Sequence, residues 1–137
     1  MKRILSLVPL LLSMVAVPAA AQQPRPISIG QVTTSQLDAS DGVLESGSYY
    51  ETWSFQARAG QLLIISMGSD VFDTYAALGR GTGSEFREIT NNDDSLGTTD
   101  SSIEFLVPED GTYLIRSSAF GEREAGEYQL LVFDTSS

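Results

Sequence analysis

The sequence predicts an all-β protein: a jelly-roll-like antiparallel β-sandwich of about eight strands, preceded by a cleaved signal peptide. Three observations carry this. Apolar and polar residues alternate with a period of two in one run after another. Turn signals interrupt these runs at short intervals, and no helix signal follows the N-terminal segment. A half-buried strand has one face to cover, and a set of short ones is covered when two sheets pack together.

Met1 to Ala21 has the three parts of a secretory signal. Lys2 and Arg3 give the positive start, Ile4 to Val17 the apolar stretch, and Ala19-Ala20-Ala21 the small-residue cleavage site. The mature chain is expected to begin at Gln22, placing the protein in the periplasm or outside the cell. The apolar stretch is shorter than the roughly 20 residues a spanning helix needs, so no membrane insertion is expected. The chain has no cysteine, which excludes both a lipid-anchored lipoprotein and a disulfide framework.

Residues 22–42 form a lead-in, "QQPRPISIG", and a first strand near 31–37; residues 43–137 form the sandwich proper. Trp53, Phe55 and Ala57 share one face of "YYETWSFQA". Ile103, Phe105 and Val107 do so in "SSIEFLVP", Tyr113, Ile115 and Ser117 in "GTYLIRSS", and Tyr128, Leu130 and Val132 in "GEYQLLVFD". "QLLIISM" is apolar on both faces, as suits a central strand. Runs near 72–79 and 85–90 complete the count. "DASDG", "ESGS", "ARAG", "GRGTGSE", "NNDDSLGTTD", "PEDG" and "GEREAG" supply the turns between them. Gly-x-Tyr opens three strands, at Gly47, Gly111 and Gly126. Each glycine permits the positive φ that ends a turn, and each tyrosine is expected at the sandwich edge with its hydroxyl toward water. A stacking platform for sugars is the functional alternative for these rings.

The ordered set Phe72-Asp73-Thr74-Tyr75, then Asn92-Asp93-Asp94, then Ser101 to Ile103, then Gly-Thr-Tyr and Gly-Glu-Tyr strands, resembles the bacterial pre-peptidase C-terminal domain. With the upstream "SYYETWSFQARAGQLLIISMGS", the resemblance covers roughly residues 43–133. It implies a jelly-roll-like sandwich related to the collagen-binding domains of secreted collagenases, non-catalytic and in some relatives calcium-binding. No peptidase domain accompanies it in this sequence, so a free-standing copy is expected to act on a partner in trans, or as a stability or assembly factor.

Cleavage would leave about 116 residues, enough for one domain with a real core. Six arginines would then face eighteen acidic residues, a net charge of −12 with no lysine. Such a surface repels phosphate backbones and anionic headgroups, so nucleic acid is not expected as a partner. With no histidine and no cysteine, thiol nucleophiles, histidine triads and ordinary zinc sites are excluded. Carboxylate chemistry is what survives.

Two readings of the acidic loop "NNDDSLGTTD" stand. Calcium takes six to eight oxygens, and Asp93, Asp94, Asp100 and Asn92, with Asp73 approaching from a neighbouring strand, are the candidate ligands. The spacing is not that of an EF-hand, since from Asn91 the glycine falls at position seven and Ser102 at twelve. Alternatively the same side chains make Asx turns with no metal, and Asp73 ties the loop down at a polar sheet edge. A catalytic pair requires two carboxyls about 5–9 Å apart with one pKa raised by burial, which a wet, glycine-bearing loop does not supply. Asp73-Thr74-Tyr75 also lacks the glycine of the aspartic peptidase motif. The expected function is an exported, non-enzymatic module that binds a protein or extracellular polymer. Its competitors are a carboxylate-dependent glycan hydrolase and a purely structural envelope protein.

Overall fold

A computed structural model describes residues 23–82, 85–93 and 99–136. The signal-peptide expectation and Asp94 lie outside these residues. The strands form two sheets. In the first, β1 (Arg25–Pro26), β4 (Tyr49–Ala57), β9 (Gly111–Ala119), β6 (Thr74–Arg80) and β7 (Arg87–Asn92) lie side by side, and β3 (Gly42–Val43) also pairs with β4. In the second the order is β2 (Thr33–Leu37), β10 (Gly126–Asp134), β5 (Leu62–Gly68) and β8 (Ser101–Leu106). Every pairing is antiparallel except that of β1 with β4. The eight expected strands are β2 and β4 to β10; the two-residue β1 and β3 are additional.

The alternation in sequence is the alternation in space. Trp53, Phe55, Tyr113, Ile115 and Leu78 of the first sheet are buried together with Leu63, Ile65, Met67, Tyr128, Leu130 and Val132 of the second. At roughly 25 cal/mol per Å² of apolar surface removed from water, this single layer is the main force holding the sheets together. β5 is central as expected, flanked by β10 and β8. Only one of its faces is fully buried, because Leu62, Ile64 and Ser66 keep partial contact with solvent.

Two of the three tyrosines, Tyr113 and Tyr128, depart from the edge position expected of them, while Tyr49 is partly buried against the core. Tyr113 and Tyr128 lie wholly inside the core, at 0% and 1% exposure. The period of two turns them inward, and burial of each phenol is compensated by a hydrogen bond. Tyr113 donates to the Glu109 carbonyl at 2.7 Å, and Tyr128 donates to Glu51. The glycines do behave as the turns require, with φ of +94° at Gly47, +152° at Gly111 and +144° at Gly126.

Candidate functional site

The described residues of the acidic loop are tied down by a small buried hydrogen-bond cluster. Thr74 donates its backbone N–H to the Thr99 carbonyl at 3.0 Å, and its Oγ1 lies 2.6 Å from Ser101 Oγ. Thr74 and Ser101 are both buried. Asp73, expected to perform this tie, is exposed, and it is its backbone carbonyl that is bonded, by Phe120 N–H. The cause is the register of β6: the strand begins at Thr74, so Thr74 faces in and Asp73 out. Asn92 Oδ1 accepts from Ser102 N–H at 3.4 Å, and the Asp93 carbonyl accepts from Ser101. Asp100 turns toward Gly68 and accepts from Ser69 N–H, beside a cavity of about 170 Å³ that Asp70 and Glu127 also line. Among the described residues no three acidic side chains are grouped as a cation would need.

A carboxyl pair with a raised pKa does exist, in a different place. Asp41, at the start of the β3–β4 hairpin, lies beside Glu51 on β4. Burial, with the Glu51 and Asp38 charges adding to it, pushes Asp41 up to about 7, against the opposing bond from Asp38 N–H. The Glu51 oxygens are already engaged. Oε1 accepts from Tyr128 and from Ser35 Oγ at 2.8 Å, and Oε2 pairs with Arg25 at 3.0 Å. Among the described residues, both Glu51 oxygens are thus engaged.

The outer face of the first sheet carries a groove of about 370 Å³. The β3–β4 hairpin contributes Leu44, Ser46 and Ser48 to it. β9 contributes Arg116 and Ser118, β6 contributes Tyr75 and Ala77, and β7 contributes Glu88. Phe120, 60% exposed, also lines it. Arg116 is half-buried, with its guanidinium carbon 4.5 Å from the Tyr50 ring centroid and 4.3 Å from that of Phe86. Burial holds its pKa below the usual arginine range, although Tyr50 and Glu88 act the other way.

Two glycines make this arrangement possible. A Cβ on Gly42 would stand 2.5 Å from the Tyr50 ring, and one on Gly79 would meet the Arg87 carbonyl at 2.4 Å and the Phe86 ring at 2.9 Å. Each leaves space for a ring that packs against Arg116. The sequence reading missed this site. The available signal was that Arg116 is the one charged residue of the strand "GTYLIRSSA", at an outward position.

The sequence model of the bacterial pre-peptidase C-terminal domain matches residues 49–119. The chain belongs to that family. The match runs from β4 through β9 and so contains Tyr50, Phe86 and Arg116. Among curated proteins, none matches the sequence. In fold, this pre-peptidase C-terminal domain is similar to the pre-peptidase C-terminal domain of a collagenase from Bacillus anthracis. The TM-score is 0.59 at 12% identity, over 81% of this chain and 95% of that one. It is similar also to PliG of Aeromonas hydrophila, a periplasmic inhibitor of g-type lysozyme. There the TM-score is 0.58 at 15% identity, over 82% and 98% of the two chains. PliG of Salmonella Typhimurium gives 0.50 at 15% identity, over 81% and 99%.

Proposed function

We propose that this chain is an exported, non-catalytic module that binds a protein partner through the outer face of its six-stranded sheet. The observation that carries the reading is the groove with half-buried Arg116 held against two rings, since aromatic residues and arginine are the side chains that most often anchor protein interfaces. Membership of an accessory-domain family supports it, as does the likeness in fold to a lysozyme inhibitor, a protein that acts by binding another. Among the described residues no helix is long and apolar enough to cross a membrane. The hydrolase alternative would fall to the Asp41–Glu51 pair, and the engagement of both Glu51 oxygens speaks against it.

The test is capture from secreted fractions by the immobilised chain, run beside Arg116→Ala and beside polysaccharide turnover assays. A protein held by the parent and released by the variant supports the reading. Glycan hydrolysis abolished by Glu51→Gln and Asp41→Asn would replace it with the enzyme, and capture of nothing with the structural protein. Calcium at Asp93, Asp94 and Asp100 is a separate proposal for fixing the acidic loop. It is tested by melting at matched ionic strength: calcium should stabilise more than magnesium, whose stiff octahedral shell fits a loop less well. Equal shifts, unchanged by Asp93→Ala with Asp94→Ala, leave a hydrogen-bonded turn.

A further inference from the structure

We infer that the groove over Arg116 is a carboxylate-binding site, filled by an acidic side chain that sits beside an apolar residue on the protein partner. The inference rests on the reading above and adds the chemistry of the ligand.

The chain carries eight basic residues against eighteen acidic ones, so carboxylates are in excess everywhere. Arg25, Arg80 and Arg87 each have one within 3.2 Å. Arg116, half-buried, has none within ion-pair distance among the described residues, and its buried Nε has no hydrogen-bond partner there. Glu88 favours this charge from beyond ion-pair distance while accepting from Asn91. A half-buried guanidinium with no carboxylate in contact is still costly, yet Gly42 and Gly79 leave space for the two rings that hold this one. With two rings 4.5 and 4.3 Å from its guanidinium carbon and Nε buried, the N–H groups left to meet a ligand are those of the terminal Nη atoms. A planar carboxylate matches that edge with two parallel hydrogen bonds.

The surroundings choose among anions. Glu88 on the groove and the strongly acidic chain penalise a dianion such as phosphate more than a single carboxylate. The hydroxyls beside Arg116 have spent their hydrogens: Ser46 on Ser48, Ser48 on the Gly121 carbonyl, and Ser118 on the Tyr75 carbonyl. Ser48 and Ser118 are buried, while exposed Ser46 offers lone pairs, which suit an N–H group of a peptide. The exposed Phe120 ring supplies the apolar contact. Donors at Arg116, an acceptor at Ser46 and an open ring together describe a peptide with one carboxylate.

The experiment is titration of the full mature chain, followed by ¹H–¹⁵N NMR at the Arg116 Nε–H. The probes are a blocked glutamyl-phenylalanine amide, its glutaminyl counterpart and inorganic phosphate. The expected result is a shift at Arg116 and at the Ser118 and Tyr75 amides. The glutamyl peptide should bind about tenfold more tightly than the glutaminyl one, as a charge-assisted pair predicts. Arg116→Lys, with an unchanged melting temperature, should lose most of that preference because an ammonium lacks the planar fork. Equal binding of the two peptides overturns the carboxylate assignment and leaves the protein-binding reading standing. Tighter binding of phosphate, or no movement at Arg116, overturns the assignment too. The wider reading fails separately, when a captured partner is held equally well by Arg116→Ala.

Discussion

Tyr128, on the four-stranded sheet, donates its phenolic hydrogen to Glu51, on the six-stranded sheet, across 2.5 Å. The same oxygen accepts from Trp53 Nε1 at 3.0 Å, so one hydroxyl joins the largest core ring to a nearly buried carboxylate. Burial beside the Glu51 charge holds the Tyr128 phenol well above its ordinary pKa, and it remains a donor throughout the working range.

Tyr128→Phe is therefore expected to cost more than the loss of one bond. It strands a buried indole N–H and removes a donor from Glu51, each with a desolvation penalty, for a total of about 1–3 kcal/mol. Tyr113→Phe removes a single bond to a backbone carbonyl and should cost about 1 kcal/mol. Urea unfolding of the two variants, with m-values compared to exclude changes in the denatured state, tests the order.

The pH dependence of stability follows from Asp41. Its ordinary value is 3.8 and its folded value about 7, so between the two the folded state holds more protons than the unfolded chain. Stability from this group is complete below that window and lost as pH rises through it. Asp38 and Asp134, held below their ordinary range chiefly by Ser40 and Ser136, act in the opposite sense, and only as pH falls below 3.8. The melting temperature should thus be higher at pH 5 than at pH 8. Asp41→Asn, which keeps an acceptor for Asp38 N–H, should flatten that difference. A melting profile of Asp41→Asn with the parent's slope would remove Asp41 as its source.

Gly42→Ala and Gly79→Ala should separate site geometry from stability. The Gly42 methyl group meets a ring that can swing away, so the cost is about 1–3 kcal/mol and the displaced Tyr50 leaves Arg116. The Gly79 methyl group meets a backbone carbonyl, which cannot yield without breaking the β6–β7 register, and the variant should be the less stable of the two. The Arg116 Nε–H resonance reports the first effect and thermal melting the second.

The sheets were legible because a period of two is a local property: Trp53, Phe55, Ile115 and Leu130 announce their inward face from sequence alone. β1 and β3 were not, since two-residue strands have no period and exist only through pairing with β4. The groove was illegible for a similar reason. Tyr50, Phe86 and Arg116 stand far apart in the chain and meet only once β4, β9 and the β6–β7 connection are assembled. Asp41 and Glu51 are ten positions apart and read as surface acids until the β3–β4 hairpin turns them toward each other. The acidic loop drew attention to its aspartates through density of charge. Its described anchors are the hydroxyls of Thr74 and Ser101, which composition does not distinguish from those of any polar turn.

That last point yields a direct comparison within "FDTY". Thr74 is 0% exposed and joins β6 to Thr99 and Ser101, while Asp73, one residue earlier, is exposed. Thr74→Val keeps the shape and removes the hydroxyl, leaving buried Ser101 Oγ without this partner, at a cost of about 1–3 kcal/mol. Asp73→Asn changes an exposed side chain and should stay within about 0.5 kcal/mol. Both are measured by chemical unfolding in the presence of a chelator, so that no cation contributes to the difference. If Asp73→Asn proves the more damaging, the carboxylate and not the hydroxyl secures the loop, and the hydrogen-bond account of this segment fails.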